Sequence, residues 1–218
     1  MAEVILILGE TGGGKSTAIQ YLPPDETMII KVIQKSLPWA WGDKKFINQV
    51  TTDSHTNIIN ILKAANKNPK LKYIVLDDFQ YIMANQWMRS LLEPKTKDSE
   101  FLKYKEIGYI VWDIIMQMNA LDNDKVCFIL AHSEVDEFGC SRCKTIGRLL
   151  NEKVTIEGLF TIVLNTSTYL DRPIVERYKF QTQNNGHNTS KSPMGLFEEE
   201  EIPNDLMYIV KQLEKYKQ

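Results

Sequence analysis

Residues 9–16, Gly9-Glu10-Thr11-Gly12-Gly13-Gly14-Lys15-Ser16, match the pattern G-x-x-x-x-G-K-[ST] at every fixed position. The apolar run at residues 3–8 before them reads as a buried strand, and a helix is expected over 15–21, stopped by Pro23-Pro24. Strand, glycine turn and helix in that order make a phosphate-binding loop. Glycines let successive N–H groups turn inward around an anion, and a helix start adds partial positive charge. The expectation is that Gly9 to Thr17 cradle a nucleoside triphosphate. Lys15 then reaches the β- and γ-phosphates, and the Ser16 hydroxyl ligates Mg²⁺. The bland alternative is a glycine-rich turn with no ligand.

A second acidic site follows. Tyr73-Ile74-Val75-Leu76-Asp77-Asp78 is a hydrophobic strand ending in two carboxylates. In a parallel sheet the C-terminal strand ends share one edge, so these acids should face the glycine loop. Asp77 is assigned to Mg²⁺, through a water, opposite Ser16, and Asp78 to orienting or deprotonating an attacking water, with Glu10 as its rival. A third strand ends at Ala131-His132-Ser133-Glu134. His132 is expected to touch the γ-phosphate; the alternatives are a turn histidine bonded to backbone or a metal ligand.

Strands at about 27–33, 72–76 and 125–131 alternate with helices at about 54–65, 80–92 and 99–121, which predicts right-handed βαβ units and a parallel sheet. Residues 34–53 and 94–98 read as irregular. Two further strands, 159–166 and 175–182, are joined by a loop containing Asp171-Arg172-Pro173. A polar stretch over 183–201 precedes a C-terminal helix opened by Asp205. The 218 residues thus read as one α/β domain, with a nucleotide-binding core over 1–135 and sheet completion, polar loop and terminal helix over 136–218. No apolar run reaches about 18 residues, which argues against a membrane span. Met1-Ala2-Glu3-Val4 carries no basic segment, which points to a cytoplasmic protein.

The chain resembles the small bacteriophage P-loop ATPases with a RecA-like core, a group that includes AAA-type proteins and single-strand annealing recombination ATPases. The resemblance rests on Gly9 to Thr17, Val75-Leu76-Asp77-Asp78-Phe79, Ala131 to Glu134, Lys144 to Leu150, and Thr182 to Phe197. It implies a three-layer P-loop NTPase with a mostly parallel sheet, helices on both faces and a late antiparallel hairpin. It also implies ATP as the nucleotide, hydrolysis, self-assembly into a homo-oligomer, and single-stranded DNA as a partner. Two departures stand out. RecA-core recombinases often place a catalytic glutamate at the end of the strand after the first helix, whereas Met28 to Gln34 has none, which favours Asp78. No oligomerisation domain is expected ahead of the first strand.

A cation is needed for the charge that spreads over a transferring phosphoryl group, and in oligomeric ATPases a neighbour can supply it. Arginines are few: Arg89, Arg142, Arg148, Arg172 and Arg177. Arg148 and Lys191 are the candidates, with Arg142 behind them. The net charge of −2 gives DNA binding no help. Trp39, Trp41, Lys44, Lys45 and Phe46 combine aromatics with lysines, as single-strand binding wants; the alternative is that both tryptophans pack under the sheet edge. Cys140 and Cys143 have CxxC spacing without a second pair, so ordinary loop thiols are favoured over structural zinc. The expected activity is a Mg²⁺-dependent ATPase serving DNA recombination. A nucleoside or nucleotide kinase and a nucleotide-switched interaction or packaging protein are the alternatives.

Overall fold

Strand β1 (Glu3–Gly9) is buried along nearly its whole length, and its side chains alternate between two separate cores. Val4, Leu6 and Leu8 enter one core, and Ile5 and Ile7 enter the other. The same alternation runs through β4 (Tyr73–Asp77) and β5 (Val126–Val135). A strand apolar on both faces needs cover on both faces. The first core takes residues from α2 (His55–Lys67), α3 (Gln80–Ser90) and α4 (Lys97–Asn119), among them Ile58, Leu62, Ile82, Ile107, Val111 and Ile114. The second takes Ala18, Ile19 and Leu22 from the segment after the glycine loop, and Ile209, Val210 and Leu213 from α5 (Leu206–Tyr216). The computed structural model describes residues 1–92, 97–147 and 149–218.

Among the described residues the strands form one sheet in the order β3-β2-β4-β5-β1-β7-β8-β9, with β6 beside β5. Strands β2 (Thr27–Lys31), β3 (Gln49–Thr51) and β7 (Ile162–Thr168) join β1, β4 and β5 in a parallel block. Strands β8 (Tyr178–Gln181) and β9 (Glu201–Pro203) extend it antiparallel. The fold is therefore α/β with a mostly parallel open sheet and a late antiparallel hairpin. No described helix is long and apolar enough to cross a membrane.

Register decides where the strand ends meet. Gly9 stands opposite His132 across β1 and β5, and Asp77 opposite Leu130 across β4 and β5. The Val32 N–H donates to the Asp77 carbonyl, and the Phe79 N–H to the Leu130 carbonyl. Glycine loop, paired acids and histidine are thus delivered to one edge of the sheet by ladder hydrogen bonds alone.

Several elements differ from the sequence reading. The segment after the glycine loop ends before Pro23 as expected, but as a six-residue 3-10 helix, Ser16–Tyr21. The stretch read as irregular holds β3 and a short helix α1 (Gly42–Lys45). Strand β5 runs on past Ala131 and folds back through β6 (Ser141–Cys143). Strand β8 starts at Tyr178, because Ile174–Glu176 turn as a 3-10 helix after Pro173. The polar stretch is pinned to the sheet through Lys191, whose backbone exchanges hydrogen bonds of 2.8 and 2.9 Å with Val163. Most of the 94–98 loop lies outside the described residues.

Candidate functional site

The glycine loop turns at Gly12 and Gly14, with φ of +79° and +86°, backbone that side chains other than glycine adopt at a cost. Gly14 is also crowded: a Cβ there would lie 2.5 Å from the ring of Tyr178 on β8. From below, Thr166 on β7 packs so close that a Cβ on Gly9 would fall 1.9 Å from its hydroxyl. The loop is therefore clasped between a threonine and a tyrosine of the β7–β8 hairpin.

Lys15 is buried and curls back along the loop, its ammonium donating to the carbonyls of Gly9 at 2.8 Å and Glu10 at 2.9 Å. Burial lowers its pKa to about 8, against the pull of Asp78 and Asp77. Two neutral acceptors thus hold a charge that an anion would hold better. Ser16 follows and donates to both oxygens of Asp77, at 2.9 and 3.1 Å. Asp77 is buried at the end of β4, and burial together with the adjacent Asp78 pushes its carboxyl up to about 6. A hydroxyl and a desolvated carboxylate in direct contact suit a hard divalent cation, which would relieve the cost of burying that negative charge. Mg²⁺ fits the residues present.

Asp78 turns the chain from β4 into α3 with φ of +65°, a left-handed conformation short polar residues tolerate best. One of its oxygens lies 3.4 Å from His132 Nε2, and the other is in contact with the ammonium of Lys35. Burial would raise its pKa, but the bonds to His132 and Lys35 outweigh that and hold it below the usual carboxylate range. The other ring nitrogen of His132 lies 3.3 Å from the Thr11 hydroxyl, so the imidazole bridges the glycine loop and Asp78. Its backbone N–H donates to Gln80 Oε1 at 3.1 Å, and its ring stands edge-on to Tyr81. The histidine is therefore more than a turn residue bonded to backbone.

These groups surround a cleft of about 480 Å³ lined by Thr11 to Thr17, Lys35, Asp78, Tyr81, His132, Ile174 and Tyr178, with Ser36 and Pro38 at one wall. The structure thus brings together most of the predicted site. Glu10, the rival base, lines a separate cleft of about 320 Å³ on the β7 side, and only its carbonyl meets Lys15. Arg148 lies outside the described residues. Arg142 pairs with Asp136 at 2.7 Å in the β5–β6 hairpin, and neither it nor Lys191 lines the cleft of about 480 Å³. Sequence reasoning missed Lys35, Tyr81 and Tyr178. Lys35 had a signal, since it follows a parallel strand whose end belongs to this same edge. Tyr178 had none, because it arrives on an antiparallel strand.

The two tryptophans differ in burial. Trp39 packs edge-on to buried Phe46 at 6.0 Å, whereas Trp41 is 72% exposed with the Lys44 ammonium 4.5 Å above its ring. Cys143 is buried on β6, where burial pushes its thiol up, and Cys140 is half-buried. Among the described residues no group of three or more His, Cys, Asp or Glu is placed to hold a metal ion. Neither a scan against protein-family models nor a search of curated proteins finds a match to the sequence.

Proposed function

We propose that the chain is a Mg²⁺-dependent P-loop ATPase with a RecA-like core. The observation that carries this reading is one cleft in which Lys15, Ser16 and the Asp78–His132 pair stand around a glycine loop, with buried Asp77 bonded to Ser16. Separately, each has an ordinary structural explanation; a buried lysine, a buried carboxylate and a left-handed aspartate meeting at one sheet edge make a costly arrangement that a triphosphate and its cation would relieve.

In this reading Lys15 leaves the loop carbonyls for the β- and γ-phosphates. Ser16 and Asp77 hold Mg²⁺, which neutralises charge across those phosphates when bound. Asp78 accepts a hydrogen bond from the attacking water, and His132 fixes Asp78 relative to the loop through Thr11. His132 is also placed to sense the γ-phosphate, since it touches both the loop and the acid. Recombination or single-strand annealing is the process we assign to this ATPase, with single-stranded DNA as partner and a homo-oligomer as the working form. Exposed Trp41 beneath Lys44 is the feature that favours contact with unpaired bases.

One observation favours a second reading. The cleft of about 320 Å³ behind the loop is lined by Glu10 and by uncharged hydrogen-bonding side chains, among them Ser133, Ser141, Asn165, Gln181 and Asn188. Such a lining suits a neutral polar molecule and would serve a phosphotransferase as an acceptor site. Phosphate release with and without single-stranded DNA, run beside radiolabel transfer from γ-labelled ATP to nucleosides, separates the two. DNA-stimulated phosphate release supports the ATPase, and a labelled nucleoside supports the transferase. Saturable binding without turnover would support a nucleotide-switched interaction protein.

A further inference from the structure

The sequence pointed to Arg148 or Lys191 for the cation that assists hydrolysis, yet the cleft already holds a second lysine. Lys35 lies four residues beyond β2, in the connection to α1, and lines the cleft with Lys15, Ser16, Asp78 and His132. Its ammonium contacts Asp78 while its side chain is 46% exposed, against 3% for Asp78. Lys35 sits near enough to Lys15 to disfavour its charge. Like charges converging on one cleft are the mark of a polyanion site. The two lysines differ in freedom. Lys15 is buried with its ammonium on two backbone carbonyls, whereas the Lys35 side chain is half-exposed and its ion partner, buried Asp78, keeps a second partner in His132 when Lys35 moves away.

We propose that Lys35 supplies, from within the same chain, the positive charge that stabilises the γ-phosphoryl group during hydrolysis, exchanging Asp78 for a γ-phosphate oxygen when nucleotide is bound. The inference rests on the ATPase reading and deepens it. In the step served, the oxygen of a water molecule bonds to the γ-phosphorus. The bond to the β–γ bridging oxygen breaks, and its electron pair leaves on ADP. The water proton passes to Asp78 and on to solvent, giving ADP and inorganic phosphate. Negative charge grows on the transferring and bridging oxygens, so a cation there acts more strongly in the transition state than in the bound substrate. Moving Lys35 off Asp78 also frees the oxygen that receives the water's hydrogen. Catalysis then needs no residue from a neighbouring subunit, whatever the oligomer does for DNA.

The test uses the full chain and its Lys35→Ala, Lys35→Gln and Lys35→Arg variants, each checked for an unchanged unfolding transition. Calorimetric titration measures affinity for Mg-ADP, and for Mg-ADP with aluminium fluoride, a mimic of the transferring phosphoryl group. Single-turnover hydrolysis is followed across a wide dilution of protein. The proposal expects the Ala and Gln variants to keep Mg-ADP affinity within roughly threefold, and to lose roughly 10²- to 10³-fold both in hydrolysis and in affinity for the fluoride complex. Lys35→Arg should recover part of both, and the wild-type rate per chain should not change on dilution. Unchanged affinity for the fluoride complex in Lys35→Ala would overturn the proposal. So would an equal loss for both ligands, which marks a structural role, or a rate per chain that falls on dilution, which marks a cation from a neighbour. Wild-type protein that binds no magnesium nucleotide overturns the ATPase reading and this inference with it, whereas normal wild-type binding with indifferent variants overturns the inference alone.

Discussion

Asp77 shows what the site costs when nothing fills it. Burial and its neighbour Asp78 hold its carboxyl up at about 6, so between the ordinary carboxylate range and pH 6 the folded chain binds more protons than the unfolded one. Stability from this group is therefore present at low pH and lost as pH rises through 6, by up to about 3 kcal/mol. Asp77→Asn should raise the melting temperature of the nucleotide-free, metal-free protein at pH 7.5 and flatten its pH dependence between 4 and 6, while weakening magnesium-dependent nucleotide binding. A melting temperature that drops on this change would show that the carboxylate is structural. Gly14 offers a second check. Its positive φ and the ring of Tyr178 at 2.5 Å leave no room for a methyl group, so Gly14→Ala should destabilise by about 1–3 kcal/mol in a denaturant titration. Gly14 was legible because the phosphate-loop pattern specifies it, and Asp77 because it closes an apolar strand. Lys35 carried a weaker signal, its place after a strand that ends at this edge, and its role shows only beside Asp78.

At the scale of elements, legibility followed apolar patterning. Strands β1, β4 and β5 are buried on both faces, so their runs of Ile, Leu and Val stood out. Strand β3 has three residues, two of them exposed, and carries no such signal. Strand β6 is as short, and β9 follows a run of glutamates that reads as loop. The C-terminal helix was visible from its cap: the Asp205 side chain accepts from the N–H groups of Met207 and Tyr208, at 2.7 and 3.1 Å. Asp205→Ala should cost about 1 kcal/mol in chemical denaturation. Because α5 packs in the second core, away from the cleft, nucleotide affinity should stay within twofold of wild type. A large loss of affinity would mean that α5 acts on the loop through Ala18 and Ile19, which share its core.

Over the whole molecule, alternating strands and helices announced a parallel sheet but left its order open. In the structure β5 stands between β1 and β4, so the glycine loop and the paired acids face each other across an intervening strand that carries His132. Strand order depends on which faces pack together, and local periodicity carries no trace of it. The same arrangement is compatible with a RecA-like core. It also makes the cleft a joint product of distant chain segments, so a ligand bound there should tie them together. Saturating Mg-ATP should raise the melting temperature in step with ligand concentration, by the mass action of binding to the folded state alone; a transition indifferent to nucleotide would count against the site.

The central claim is that the opening glycine turn grips a triphosphate while the acids at the end of β4 hold its divalent ion. Titrating Mg-ATP into the wild-type chain and into Lys15→Ala tests it most directly. Saturable binding by wild type, weakened at least tenfold by EDTA and by Lys15→Ala in a protein that still unfolds cooperatively, is the predicted result. Folded wild-type protein that takes up no magnesium nucleoside triphosphate, or a Lys15→Ala variant that binds as tightly as wild type, would contradict it.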